Sequence, residues 1–125
     1  MCMAGNVLVV EDQPDIRSLL EAALSLEGYA VRTAEHGRAA LGQLAGFRPC
    51  VILLDLMMPI LDGRGFLEAY GQLPRADARI ITMTAGLGDP RAAGDLPVHD
   101  HVRKPFDLDC LLELVTRHMP QHRAG

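Results

Sequence analysis

Four places along the chain put a polar or charged side chain directly after an apolar run. Glu11 and Asp12 follow Asn6 to Val10, and Asp55 follows Val51 to Leu54. Thr84 closes the run from Arg79, and Lys104 closes a weaker one from Val98. Three carboxylates converging on one edge of a sheet repel one another unless a cation neutralises them. Hard oxygen ligands without a neighbouring His or Cys suit magnesium, which takes one or two carboxylates and leaves room for a phosphate oxygen. Lys104 offers a compact charge and Thr84 a hydroxyl donor for phosphoryl oxygens. A carboxylate in such a setting can act as a nucleophile and form an acyl phosphate, with positioning and electrostatics as the protein's main contribution.

These residues share a site only if the elements carrying them lie side by side. Short β-branched runs alternate with runs of helical period, the pattern of βαβ units on a parallel sheet. Asn6 to Val10 is continuously apolar, as expected of a strand buried on both faces. Pro14 suits the first turn of a helix, and Ile16, Leu19, Leu20, Ala23 and Leu24 form one apolar stripe ending near Gly28. A second strand is predicted over Tyr29 to Thr33, a second helix over Glu35 to Leu44, and a central third strand over Val51 to Leu54. A third helix is predicted over Gly65 to Tyr70, a fourth strand over Arg79 to Thr84 and a fifth over Val98 to Arg103. The crowding of Gly and Pro between Gly86 and Pro97 leaves a short, irregular fourth helix around Asp89 to Ala93. Asp107 is a natural N-cap for a last helix whose apolar face is Leu108, Leu111, Leu112 and Val115. A doubly wound parallel sheet is the economical solution, with its site outside the carboxyl ends of the strands.

Composition limits the alternatives. The chain has 125 residues, enough for one domain, expected over residues 5–120 with no output domain attached. Hydrophobic residues make up 49%, which supports a packed core. A formal charge of -4 is a poor footprint for direct nucleic-acid binding, and no polybasic run seeks an anionic membrane. No apolar run is long enough to span a bilayer, and the N-terminus lacks a signal-peptide pattern. Cys2, Cys50 and Cys110 are odd in number and scattered, which suggests neither a disulfide framework nor a zinc site. A cytoplasmic location is expected.

The ordered set Val9-Val10-Glu11-Asp12, Leu53-Leu54-Asp55-Leu56-Met57-Met58-Pro59, Asp62-Gly63, Thr82-Met83-Thr84-Ala85 and Lys104-Pro105-Phe106 resembles the receiver domain of two-component response regulators. The likeness runs from about Asn6 to Met119. Each motif alone is weak, and their order and spacing carry the resemblance. It implies an α/β flavodoxin-like fold with five parallel strands in the order 2-1-3-4-5. It implies that Asp55 is the phosphoacceptor, that Asp12 and Asp55 ligate magnesium with Glu11 acting directly or through water, and that the Met57 carbonyl is a further ligand. Thr84 and Lys104 would bind the phosphoryl group, and Thr84 would shift toward it on activation. A histidine kinase or histidine phosphotransfer protein would be the donor, with an unspecified protein downstream. His101 stands where the family often has a rotating Tyr or Phe, and as a titratable ring it adds a pH variable. The 20 residues from Thr84 to Lys104 are somewhat short for the family.

Competing readings make separate demands. A receiver excised from a hybrid kinase would have the same sequence features. A small magnesium-dependent aspartyl phosphatase would need a second acid where Met57 stands, so turnover of an outside substrate is not expected. A flavin module would need a Ser/Thr/Gly-rich phosphate loop in place of Glu11-Asp12-Gln13-Pro14. A pseudo-receiver would lack one of the expected polar groups, and all are present. His99, His101 and His118 gather no further metal ligand in the sequence.

Overall fold

A computed structural model describes residues 5–56, 63–74, 76–85 and 98–120. The chain alternates β1 (Asn6–Val10), α1 (Pro14–Leu26), β2 (Ala30–Ala34), α2 (Gly37–Gln43), β3 (Val51–Asp55), α3 (Gly63–Gly71), β4 (Arg79–Ala85), β5 (Asp100–Lys104) and α4 (Leu108–His118). All strand pairs are parallel, and the sheet order is β2-β1-β3-β4-β5. The expected architecture is therefore realised. The fourth helix expected around Asp89 to Ala93 lies outside the described residues, as does the Gly86 to Pro97 segment around it.

The central strands alternate their side chains between two apolar layers, which explains why their sequences are apolar throughout. Leu8, Val10, Ile52, Leu54 and Ile80 meet Ala40 of α2 and Phe66, Leu67 and Tyr70 of α3. Val7, Val9, Val51, Leu53, Ile81 and Met83 meet Leu20 and Leu24 of α1 and Leu111 and Val115 of α4. Each fully buried Leu or Ile contributes roughly 1.5–3 kcal/mol of transfer free energy. A one-residue slip would turn each strand's side chains into the opposite layer, where the facing helices present a different set of shapes.

Local signals set the helix ends. Pro14 occupies the first turn of α1, and Gly28 follows its end at φ +94°, a conformation that favours glycine. Asp107 caps α4 by accepting from the Asp109 amide at 2.9 Å. Helix α2 starts two residues later than predicted. The extended backbone of His36 places its Nδ1 to accept from the Ala39 amide at 3.0 Å, so His36 is the cap and Glu35 lies outside.

The fifth strand also starts two residues later than predicted. His99 donates its amide to the Ile80 carbonyl, and its ring Nδ1 accepts the Ile80 amide, both at 2.9 Å. A side chain thus takes the place of the strand backbone at that point. Cys50, just before β3, is disulfide-bonded, whereas Cys110 on α4 is free and exposed. The odd cysteine count therefore did not exclude a single disulfide.

Candidate functional site

The strand order reverses between β1 and β3, and the crevice outside their carboxyl ends is where open α/β sheets bind ligands. Glu11 and Asp12 leave β1 there, and Asp55 ends β3. The adjoining backbone is pinned on both sides. The Glu11 amide donates to the Ala34 carbonyl at 3.0 Å, and the Leu56 amide donates to the Met83 carbonyl at 3.1 Å.

This placement brings together one oxygen from each of Glu11, Asp12 and Asp55, all within 4.8 Å of one another. It is the only such convergence of possible metal ligands among the described residues. Glu11 and Asp55 are buried, and Asp12 is partly exposed.

Lys104, at the end of β5, reaches across β4 to this cluster. Its Nζ lies 2.6 Å from Glu11 Oε1 and 3.5 Å from Asp55 Oδ2. The other Glu11 oxygen, Oε2, accepts from the Gln13 amide at 3.1 Å. Glu11 therefore has both oxygens engaged by the protein, one by a cation and one by the turn into α1. Three carboxylates against one ammonium leave two negative charges in excess when all are ionised. That imbalance, with oxygen donors only, fits a hard divalent cation.

Thr84 sits on β4 opposite Arg103. Its Oγ1 is buried and has no hydrogen-bond partner among the described residues. An unfilled buried hydroxyl calls for a ligand, an ion or a water. His101 is the register partner of Thr82, which places it on the sheet face of Thr84, one step diagonally away. Met57 lies outside the described residues.

Two neighbours of the cluster were not legible in the sequence. Arg17 Nη1 donates to the Glu11 carbonyl at 2.9 Å, clamping the turn that presents the carboxylates. The direct Lys104 to Glu11 contact is the second, because it reaches from the end of β5 past β4 and β3 to the end of β1. The histidines assemble no metal site among the described residues. His99 uses Nδ1 on Ile80, and His118 Nε2 lies 3.2 Å from Asp100 Oδ2. No helix among the described residues is long and apolar enough to cross a membrane.

Comparison with known proteins agrees with this geometry. Residues 7–116 match the family described as response regulator receiver domain. Response regulator MprA of Mycolicibacterium vanbaalenii is 38% identical, over 98% of this chain and 55% of that protein. The probable transcriptional regulator ycf27 of Guillardia theta is 41% identical, over 90% of this chain and 45% of that protein. The chain thus spans about half the length of these curated relatives. Among solved structures, a CheY-like response regulator receiver domain protein of Methanospirillum hungatei superposes with a TM-score of 0.81 at 31% identity, over 92% of this chain and 94% of that one. The receiver domain of a signal transduction histidine kinase from Syntrophus aciditrophicus superposes with a TM-score of 0.82 at 28% identity, over 98% of both chains. Sequence order, sheet topology and these likenesses agree, and the chain belongs to the response regulator receiver domain family of two-component systems.

Proposed function

We propose that this receiver domain, residues 5–120, is a phosphorylation-dependent switch in which Asp55 accepts a phosphoryl group from a phosphohistidine, with magnesium as the cofactor. The observation that carries this reading is the pairing of a buried Asp55 with Lys104 Nζ at 3.5 Å inside a cluster of three carboxylates. Asp12 and Asp55 are the direct metal ligands in this reading. Glu11, already engaged by Lys104 and Gln13, acts through water, and the Met57 carbonyl completes the protein's share. Bound there, the ion supplies the positive charge that balances the cluster and the phosphoryl oxygens.

The chain's own residues do the rest. An Asp55 carboxylate oxygen attacks phosphorus, and the P–N bond to the donor imidazole breaks. Its electron pair stays on that nitrogen, and the product is an acyl phosphate on Asp55. Lys104 pairs with one phosphoryl oxygen, and the Thr84 hydroxyl donates to another. The movement of Thr84 toward that oxygen opens space on the face it shares with His101, which couples the chemistry to the surface. The domain turns over no outside substrate, and loss of the phosphoryl group to water resets it.

A histidine kinase or histidine phosphotransfer protein is the donor in this reading, and the output passes to a downstream protein. The likeness to the receiver domain of a histidine kinase favours a second arrangement, in which this domain serves within a hybrid kinase. The chemistry at Asp55 is the same in both. Incubation with acetyl phosphate and magnesium, followed by intact mass measurement, tests the proposal. One phosphoryl adduct on the wild-type chain and none on Asp55→Ala is expected. An adduct that survives Asp55→Ala would overturn the assignment of the acceptor.

A further inference from the structure

A second feature lies at the opposite, amino end of the sheet. The segments after α2 and α3 frame a pocket of 420 Å³, within the range of sites that take small molecules, about 300–1,000 Å³. Leu44, Phe47, Tyr70 and Leu73 give it apolar walls, and Arg48 and Asp77 give it charge. The walls are well supported. Arg32 covers the Phe47 ring at 5.2 Å, and Tyr70 stacks on Phe66 with ring centroids 5.9 Å apart.

The polar groups are unequally satisfied. The Arg48 carbonyl accepts from Asn6 Nδ2 at 3.3 Å, which helps hold the backbone. The guanidinium is different. Its Nη2 is buried and has no hydrogen-bond partner among the described residues. A guanidinium cannot shed its charge, so a buried N–H left empty on it calls for an acceptor. Tyr70 accepts the Ala78 amide at 2.9 Å, which leaves its own O–H as a donor. Burial, foremost, pushes the Tyr70 phenol up, so it keeps that proton near neutral pH. Asp77 is exposed at the margin.

We propose that this pocket binds a small monocarboxylate with an apolar body, its carboxylate on the Arg48 guanidinium and its body against Phe47 and Tyr70. The planar donor fork of Arg matches a carboxylate. The apolar walls and the nearby Asp77 disfavour a strongly hydrated phosphate dianion.

Benzoate is the probe, with benzamide as its neutral isostere and inorganic phosphate as the second anion. Each is titrated into the full chain while backbone amide resonances are followed. Benzoate should give saturable shifts around residues 44–49 and 70–74. Benzamide should bind about tenfold more weakly, the effect of losing one charge-assisted hydrogen bond. Arg48→Met should weaken benzoate by a similar factor. Absence of saturable shifts, equal binding of benzamide, or phosphate binding as tightly as benzoate would overturn the proposal. If Arg48→Met does not fold, the comparison of benzoate with benzamide on the wild-type chain still decides. Failure of benzoate to bind would leave the Asp55 chemistry untouched, because the two sites lie at opposite ends of the sheet.

Discussion

Lys104→Met replaces the ammonium that touches both Glu11 and Asp55 with an apolar side chain of similar reach. Glu11 is fully buried and Asp55 is 3% exposed, so neither carboxylate can turn to bulk water in compensation. At 2.6 Å and 3.5 Å, the gross attractions are roughly 6 and 5 kcal/mol at an effective dielectric near 20. Desolvation of the ammonium offsets much of this, and breaking a buried pair from one side typically costs about 3–5 kcal/mol. That is a large part of the ~5–15 kcal/mol that holds a domain together. Urea unfolding in a chelating buffer, followed by circular dichroism, should therefore show the variant destabilised by about 3–5 kcal/mol. Magnesium should restore more stability to the variant than to the wild type, because ion and ammonium answer the same excess negative charge. A loss below ~1 kcal/mol, the range of an exposed ion pair, would mean that Lys104 does not neutralise a buried cluster. So would equal stabilisation of both proteins by magnesium.

Further predictions follow from neighbouring groups. Thr84→Val removes a buried hydroxyl without a described partner, so the unphosphorylated domain should gain about 1 kcal/mol in urea unfolding. The same variant should retain less acyl phosphate in a decay assay, because a phosphoryl contact is lost. Asp12→Asn should abolish stabilisation by magnesium, which for wild type at a hundredfold excess over Kd is about 2.7 kcal/mol in a thermal or urea assay.

His99 supplies a pH test. Partial burial pushes its imidazole below the usual range, and Arg79 and His118 add to the effect. With the folded value lower, the unfolded chain binds the proton more readily. The contribution of His99 is thus fully present above the ordinary histidine value of about 6.5 and is lost as pH falls below it. His99→Asn retains an acceptor for the Ile80 amide and does not titrate. It should flatten stability against pH in that window, and an unchanged slope would contradict the assignment.

Strands β1 and β3 were legible in the sequence because both of their faces are buried, which leaves an uninterrupted apolar run. Their ends were legible for the same reason, since Glu11 and Asp55 break those runs abruptly. Side chains that replace backbone were not legible. His36 as a cap and His99 as a partner of Ile80 depend on where a ring folds back, and both shifted an element boundary by two residues. Long-range contacts were equally hidden. The sequence brings the ends of β5 and β1 to one site, but it gives Lys104 to a phosphoryl oxygen, and its direct pairing with Glu11 depends on how far the side chain reaches in the packed sheet. The Arg48 nitrogen that has no partner among the described residues emerges only once the segments after α2 and α3 are packed against each other.

Whether Asp55 carries the phosphoryl group is decided by locating that group chemically. Protein treated with acetyl phosphate and magnesium is reduced with borohydride, which converts an acyl phosphate to an alcohol, and the peptides are then sequenced by mass spectrometry. Reduction at Asp55 alone is expected, and none when chelator replaces magnesium. Reduction at Asp12 or Glu11, or labelling indifferent to the chelator, would contradict the magnesium-assisted transfer to Asp55.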